Sequence, residues 1–191
     1  MQLRDYTTGG FDRGQPLWFE ALWFAVKCVF FLNPIPWPSE LRVALLRAFG
    51  ARVGEGVVIR AQVNVTFPWR LTIGDHVWIG EEVIILSLAP VVLESNVCVS
   101  QRAFLCTGSH DFRAPKFDLI TKPITIRAGS WVAAQTFVAP GVEVGPDSMI
   151  AAGSVVLETV PQGVLVRGNP ATVVREFSKV ADPAKTKAFQ P

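Results

Sequence analysis

From Val53 onward an aliphatic side chain returns at every sixth residue. One phase runs through Val53, Ile59, Val65 and Leu71, a second through Ile73, Ile79, Ile85 and Val91, and a third through Leu93, Val99 and Leu105. A fourth runs from Ile126 through Val132, Val138, Val144 and Ile150 to Val156. Small residues such as Gly74, Gly80, Ala133 and Gly145 follow many of these positions, and four residues after the aliphatic position comes a second small or β-branched set that includes Val57, Val77, Val97, Thr136 and Ser148. A period of six fits neither an α-helix at about 3.6 residues per turn nor the simple alternation of a strand. It fits a short strand followed by a corner, with β-branched residues favouring the strand and Gly74-Asp75, Pro140-Gly141 and Pro146-Asp147 favouring the corner. Three such sides make a coil of about eighteen residues, and stacked coils bury a column that one coil cannot bury alone. The fold class is therefore an all-β solenoid, a parallel β-helix of about six coils between Val53 and Pro170. An antiparallel sandwich or barrel would space its strands by ~8–12 residues instead.

The rhythm stops after Leu105. Leu105 and Ile126 stand 21 residues apart, so about fifteen residues leave the coil as an excursion loop, 107–123, which contains His110. Loops held on a rigid scaffold commonly carry function. His76, in contrast, falls within a Gly74-Asp75-His76 corner and reads as a solvent-facing turn residue.

Residues 1–52 precede the repeat and read as a hydrophobic helical segment, 53–177 as the β-helix domain, and 178–191 as a flexible polar tail. Leu17 to Leu32 is the most apolar stretch; it is shorter than the ~20 residues a membrane span requires, and Glu20 and Lys27 interrupt it. It can pack against the rest of the protein or lie in a membrane interface, a location that Trp18, Trp23 and Trp37 suit. Net charge is only +2, with no basic run, which argues against nucleic acid as a partner. The N-terminus lacks the pattern of a secretory signal, and Cys28, Cys98 and Cys106 form no CxxC pair and read as small buried residues. A cytoplasmic location, with peripheral contact at the inner face of the membrane, is the expectation.

The run from Ile124 to Phe177, beginning ITIRAGSWVAAQTFVAPG, resembles the C-terminal half of the hexapeptide acyltransferases. FPWRLTIGDHVWIGEEVII from Phe67 and LCTGSHDF from Leu105 are similar, more narrowly, to the colanic acid biosynthesis type of O-acetyltransferase. The resemblance implies a left-handed β-helix, a homotrimer, and acetyl-CoA sites in the clefts between neighbouring helices. It implies His110 of the GSHD segment as the base that removes a proton from a sugar hydroxyl, chemistry that imidazole suits near neutral pH. Asp111 is the candidate to orient that imidazole or to bond the acceptor. For the cofactor, the resemblance implies Trp131 beside the pantetheine arm, Ala134 and Ala152 where that arm meets main chain, and Arg167 and Arg175 near the phosphates. Each alanine reads equally well as an ordinary corner residue. Leu157-Glu158-Thr159 stands where relatives commonly carry Thr-Lys-Asp, so an acidic residue replaces a phosphate-binding lysine, and Arg167 is the candidate to compensate. Asn64, Phe67 and Trp69 match the acceptor-side coil, where the two aromatics either stack on a sugar or cap the solenoid.

The function expected is acetyl transfer from acetyl-CoA to a sugar hydroxyl in exopolysaccharide or surface-glycan biosynthesis. An acetyltransferase for another acceptor, such as a free sugar, an amino sugar or serine, and a non-catalytic β-helix scaffold are the alternatives. No metal is expected: the zinc enzymes on this fold use three histidine ligands per metal, and the chain has two histidines in all.

Overall fold

The hexapeptide rhythm folds into a three-sided parallel solenoid of about six turns, seen in a computed structural model that describes residues 3–177. The stretch 178–191, expected to form a flexible tail, lies outside the described residues. Each turn places one short strand on each side. The first sheet stacks β1 (Arg52–Val53), β4 (Leu71–Ile73), β7 (Val91–Leu93), β12 (Ile124–Ile126) and β15 (Glu143–Val144). The second stacks β2 (Val58–Ile59), β5 (Trp78–Ile79), β8 (Cys98–Val99), β13 (Trp131–Val132), β16 (Met149–Ile150) and β18 (Val164–Gly168), and ends on β19 (Ala171–Glu176), which returns antiparallel to β18. The third stacks β3 (Asn64–Val65), β6 (Ile84–Leu86), β9 (Phe104–Cys106), β14 (Phe137–Val138) and β17 (Val155–Val156).

The repeated aliphatic residues line the inside. Ile59, Ile79, Val99, Val132, Ile150 and Val166 form one column, in register from coil to coil, and none is more than 3% exposed. Each such side chain contributes roughly 1.5–3 kcal/mol by leaving water. Val57, Val77, Val97, Thr136 and Ser148 also point inward and are buried. The buried hydroxyls bond across corners, Ser130 Oγ donating to the Gly145 carbonyl at 2.8 Å and Ser148 Oγ to that of Pro161 at 2.7 Å.

Coil length departs from the eighteen residues expected. Val53 pairs with Ile73, and Ile73 with Leu93, so the early coils advance by 20 residues; the step from Ile126 to Val144 is 18. The extra residues enter at the edge between the third and first sheets, where Pro68–Arg70 forms a 3-10 turn. Corners elsewhere are tight. A Cβ on Gly74 would stand 2.6 Å from the Ser95 amide nitrogen of the next coil. His76 is exposed in such a corner, in a left-handed conformation (φ 57°).

The excursion opens between β9 and β12, and the coil resumes with Leu93 paired to Ile126 across 33 residues. Arg127 bridges this step, bonding Glu94 and Glu143 at 2.8 Å each. Burial alone would raise the Glu94 carboxyl; the Arg127 guanidinium and the Ala128 amide outweigh it and hold that group below its ordinary value.

Two helices cap the first coil. On α1 (Leu17–Phe30) the residues Phe19, Trp23, Val26 and Phe30 recur at helical spacing and pack on the core, and Trp23 Nε1 donates to the Val65 carbonyl at 3.1 Å. Both charges of the helix are internally engaged: Glu20 pairs with Arg13 at 2.7 Å, and Lys27 Nζ donates to Asn64 Oδ1 at 3.0 Å. Leu17, Trp18, Leu22, Phe24 and Val29 are exposed. The expectation that all three cysteines are buried holds only for Cys106, whose thiol burial pushes up; Cys28 is exposed and Cys98 half-buried, because outward positions of a helix and a strand take any side chain.

Helix α2 (Ser39–Ala48) carries Arg42, 2% exposed, whose guanidinium donates to the carbonyls of Phe30, Ile35 and Trp37 at 2.7–3.1 Å. It joins the end of α1, the proline-rich link and α2. Burial, reinforced by Arg60, lowers its pKa from the ordinary value. Hydrogen bonds to a charged group are worth ~1.5–3 kcal/mol, and a buried carbonyl stripped of its donor costs about as much again. Arg42→Leu is therefore expected to cost roughly 3 kcal/mol or more, read from the urea unfolding midpoint; a loss below ~1 kcal/mol would show those carbonyls regain water at little cost.

Candidate active site

The excursion folds back on itself as an antiparallel hairpin of β10 (Gly108–His110) and β11 (Leu119–Thr121), with His110 opposite Leu119. Its base is fixed to the solenoid. Thr107 Oγ1 accepts from the Ala89 amide at 3.0 Å, and the Lys122 amide donates to the Thr107 carbonyl at 2.9 Å.

His110 ends β10, half-buried, with its Nδ1 2.9 Å from the Phe117 carbonyl. A carbonyl has no proton to give, so Nδ1 carries the hydrogen, and the neutral imidazole presents Nε2 as an acceptor. Phe117 does two things at once: its left-handed backbone (φ 56°) turns the carbonyl toward Nδ1, and its ring stacks on the imidazole at 4.2 Å and 3°. Non-glycine residues rarely hold that backbone conformation, and such outliers cluster at functional sites. Asp111, the candidate to orient that imidazole or to bond the acceptor, is engaged within the hairpin. Its carboxylate accepts from the Arg113 amide at 2.9 Å and its own amide donates to the Asp118 carbonyl at 2.9 Å, which holds the hairpin tip. Tyr6, from the N-terminal segment, meets the imidazole edge-on with ring centroids 5.5 Å apart.

Of the acceptor-side positions, Phe67 and Trp69 lie on the same edge of the prism as the hairpin, between the third and first sheets. Phe67 is 4% exposed and stacks on Trp69 at 4.9 Å; Trp69 Nε1 donates to the Arg13 carbonyl at 2.8 Å. Both rings are thus covered by the N-terminal segment. Asn64 sits on the third sheet and accepts from Lys27 of α1.

The cofactor candidates gather elsewhere, along the second sheet and its edge with the third. Trp131 is 45% exposed on the outer face of the second sheet, its Nε1 donating to Ser100 Oγ at 2.8 Å. Trp131 pairs with Met149, Met149 with Leu165, and Leu165 with Arg175, which puts Trp131 and Arg175 on one outward ladder, three strand spacings or ~14 Å apart. Ala134 and Ala152 occupy successive corners joined by the bond from the Gly153 amide to the Ala134 carbonyl at 2.9 Å. Arg167 and Arg175 are exposed, and no ion pair engages either among the described residues. A depression of about 490 Å3 lined by Trp78, Cys98, Ser100 and Gln101 adjoins Trp131. Small corner residues, an apolar ladder and two free guanidinium groups fit a ligand with an extended arm and a phosphorylated end. Among the described residues no three His, Cys, Asp or Glu side chains converge as a metal site.

No family model matches the sequence. It is 41% identical over 159 residues to colanic acid biosynthesis acetyltransferase WcaF of Escherichia coli K12, covering 81% of this chain and 85% of that protein. Galactoside O-acetyltransferase of the same organism is 27% identical over 146 residues, covering 74% and 72%. Among solved structures, a hexapeptide-repeat-containing acetyltransferase of Vibrio cholerae O1 biovar eltor, complexed with acetyl coenzyme A, superimposes with a TM-score of 0.79 at 25% identity, over 92% of this chain and 97% of that one. The in-register aliphatic columns, the one excursion with its histidine and this likeness over most of both chains agree, and the chain belongs to the hexapeptide-repeat acetyltransferases of left-handed β-helix fold, alongside WcaF.

Proposed function

We propose that this acetyltransferase moves an acetyl group from acetyl-CoA to a sugar hydroxyl in exopolysaccharide or surface-glycan assembly, with His110 as the general base. The observation that carries the reading is the bond between His110 Nδ1 and the Phe117 carbonyl, which leaves Nε2 as the proton acceptor. Acetyl-CoA supplies an activated acyl carbon and a sulfur leaving group. Nε2 takes the hydroxyl proton as the new C–O bond forms, and returns it to the sulfur as the C–S bond breaks. The imidazole thus ends as it began. The glycan class of the acceptor is supported by the likeness to WcaF and to a galactoside O-acetyltransferase.

A homotrimer is part of this reading. His110 stands at the edge between the third and first sheets, whereas Trp131, Ala134, Ala152, Arg167 and Arg175 follow the second sheet and its edge with the third. A cofactor held by the second group meets the base most directly when a neighbouring copy supplies one of the two edges. Closed threefold symmetry satisfies every site at once. Contact with the cytoplasmic face of a membrane through α1 is supported by its outward Leu17, Trp18, Leu22, Phe24 and Val29, on a helix whose charges are both engaged inward. No helix among the described residues is long and apolar enough to cross a bilayer.

Three outcomes are expected. Nitrogen-15 NMR of the neutral His110 ring will find the proton on Nδ1; a proton on Nε2 would remove the base assignment. His110→Ala will lower acetyl transfer by ~10²–10⁴-fold, the range general base catalysis supplies, with acetyl-CoA affinity by calorimetry retained; near-normal turnover overturns the reading. In sedimentation with phosphatidylglycerol and phosphatidylethanolamine vesicles the protein will pellet, and the double variant Trp18→Glu, Phe24→Glu will stay in the supernatant; equal partitioning would end the membrane proposal.

A further inference from the structure

The N-terminal segment begins on the catalytic edge. Tyr6 is the only tyrosine of the chain, and its ring reaches the His110 imidazole at 64° and 5.5 Å. The imidazole has few directions left. Phe117 stacks on its plane and the Phe117 carbonyl occupies Nδ1, and Tyr6 meets the ring as a further neighbour. Tyr6 is still 36% exposed, which is not how a tyrosine that only fills a core sits.

Residues 11–14 are fastened to the solenoid. Arg70 lies over the Phe11 ring at 5.1 Å and donates to the Asp12 and Leu88 carbonyls, Trp69 Nε1 donates to the Arg13 carbonyl, and Arg13 pairs with Glu20. Between this anchor and Tyr6 stand Gly9 and Gly10, both left-handed (φ 61° and 77°), with nothing within 4 Å of where a Cβ would stand on either. That conformation comes freely to glycine and at a cost to other residues. Residues 3–8 therefore form an arm on a two-glycine joint, with a fixed anchor on one side and Tyr6 on the base at the other.

We propose that Tyr6 is an acceptor-positioning residue: the arm walls the acceptor side of His110, and the Tyr6 ring and hydroxyl hold the sugar whose hydroxyl faces Nε2. A pyranose offers an apolar C–H face to an aromatic ring and hydroxyls at its rim to a phenol, so one tyrosine engages both. Holding the acceptor in line with the base acts on the reaction through orientation. Buried Phe67 and half-buried Trp69 do not meet the sugar on this account; they carry the anchor from which the arm extends. This assignment rests on His110 being the base.

The test measures CoA release by wild type, Tyr6→Ala, Tyr6→Phe and Gly9→Pro, varying acetyl-CoA and, separately, the methyl hexopyranoside (galactoside, glucoside, mannoside or fucoside) that wild type turns over best. Tyr6→Ala is expected to lower kcat/KM for the hexoside at least tenfold with the acetyl-CoA KM retained, and to lower the slow hydrolysis of acetyl-CoA without acceptor by much less than the transfer. Tyr6→Phe should recover part of the loss, and Gly9→Pro, which redirects the arm with Tyr6 intact, should reproduce it. Unchanged hexoside kinetics in Tyr6→Ala overturn the proposal. So does an equal loss in transfer and hydrolysis, which would make Tyr6 a support for the imidazole alone, and so does absence of wild-type turnover on every hexoside. Failure of the base assignment is read separately, as turnover that survives in His110→Ala with Tyr6 intact.

Discussion

Every coil of this protein rests on the one before it through main-chain hydrogen bonds made in register, and that register constrains everything else. The Trp78 amide bonds the Val97 carbonyl, the Cys98 amide bonds that of Ser130, and the Trp131 amide bonds that of Ser148, so one strand position is carried through the solenoid by a chain of bonds at 2.9–3.0 Å. Shifting a strand by one residue would turn its aliphatic side chain outward and a polar one inward. Insertions are therefore excluded from the sides and admitted at corners. All the chemistry proposed for this chain lies at corners, at the ends of sheets or on outward faces, because those positions can vary without breaking the column.

That constraint explains what was legible in the sequence. The period of six names the inward residues, and the buried columns follow it position by position. Coil length was less legible. Leu71 and Ile73 both point inward on one three-residue strand, so two phases overlap there, and the count of six runs on across a corner that holds two more residues than a regular one. The excursion showed itself as a broken rhythm, but not its internal pairing, since β10 and β11 gain their stability from each other and from contacts at their base. Phe117 left no trace: a left-handed phenylalanine is set by the surrounding hairpin, and nothing in Lys116-Phe117-Asp118 announces it. Tyr6 was invisible for a similar reason, as 104 residues of chain separate it from His110.

Helix α1 shows how composition and structure can point apart. A helix apolar almost all round suggests burial on every side, and its two charges suggest solvent. The structure reverses the usual arrangement. Glu20 and Lys27 are held against Arg13 and Asn64, whereas Trp18 and Phe24 face outward. Lys27 loses hydration there, and burial lowers its pKa from the ordinary value. The ends of the helix are set by proline: Pro16 precedes its first turn, and Pro34, Pro36 and Pro38 keep the link out of helix until α2 begins at Ser39.

The departure at Leu157-Glu158-Thr159 also acquires a location. These exposed residues follow β17 and precede Val160, which pairs with Val144 of the first sheet, so they turn the edge on which His110 stands. Arg167 and Arg175 belong to the second sheet, on the outward ladder of Trp131. Within one chain the arginines and the acidic replacement are on different edges. For Arg167 to compensate for the lysine of relatives, as proposed, the phosphates of one cofactor would have to be approached by two copies, one contributing the Glu158 edge and the other the arginine face. In the proposed trimer the negative charge of Glu158 would then be offset, because the two guanidinium groups, each without an acidic partner among the described residues, would supply the opposite sign from the neighbouring copy.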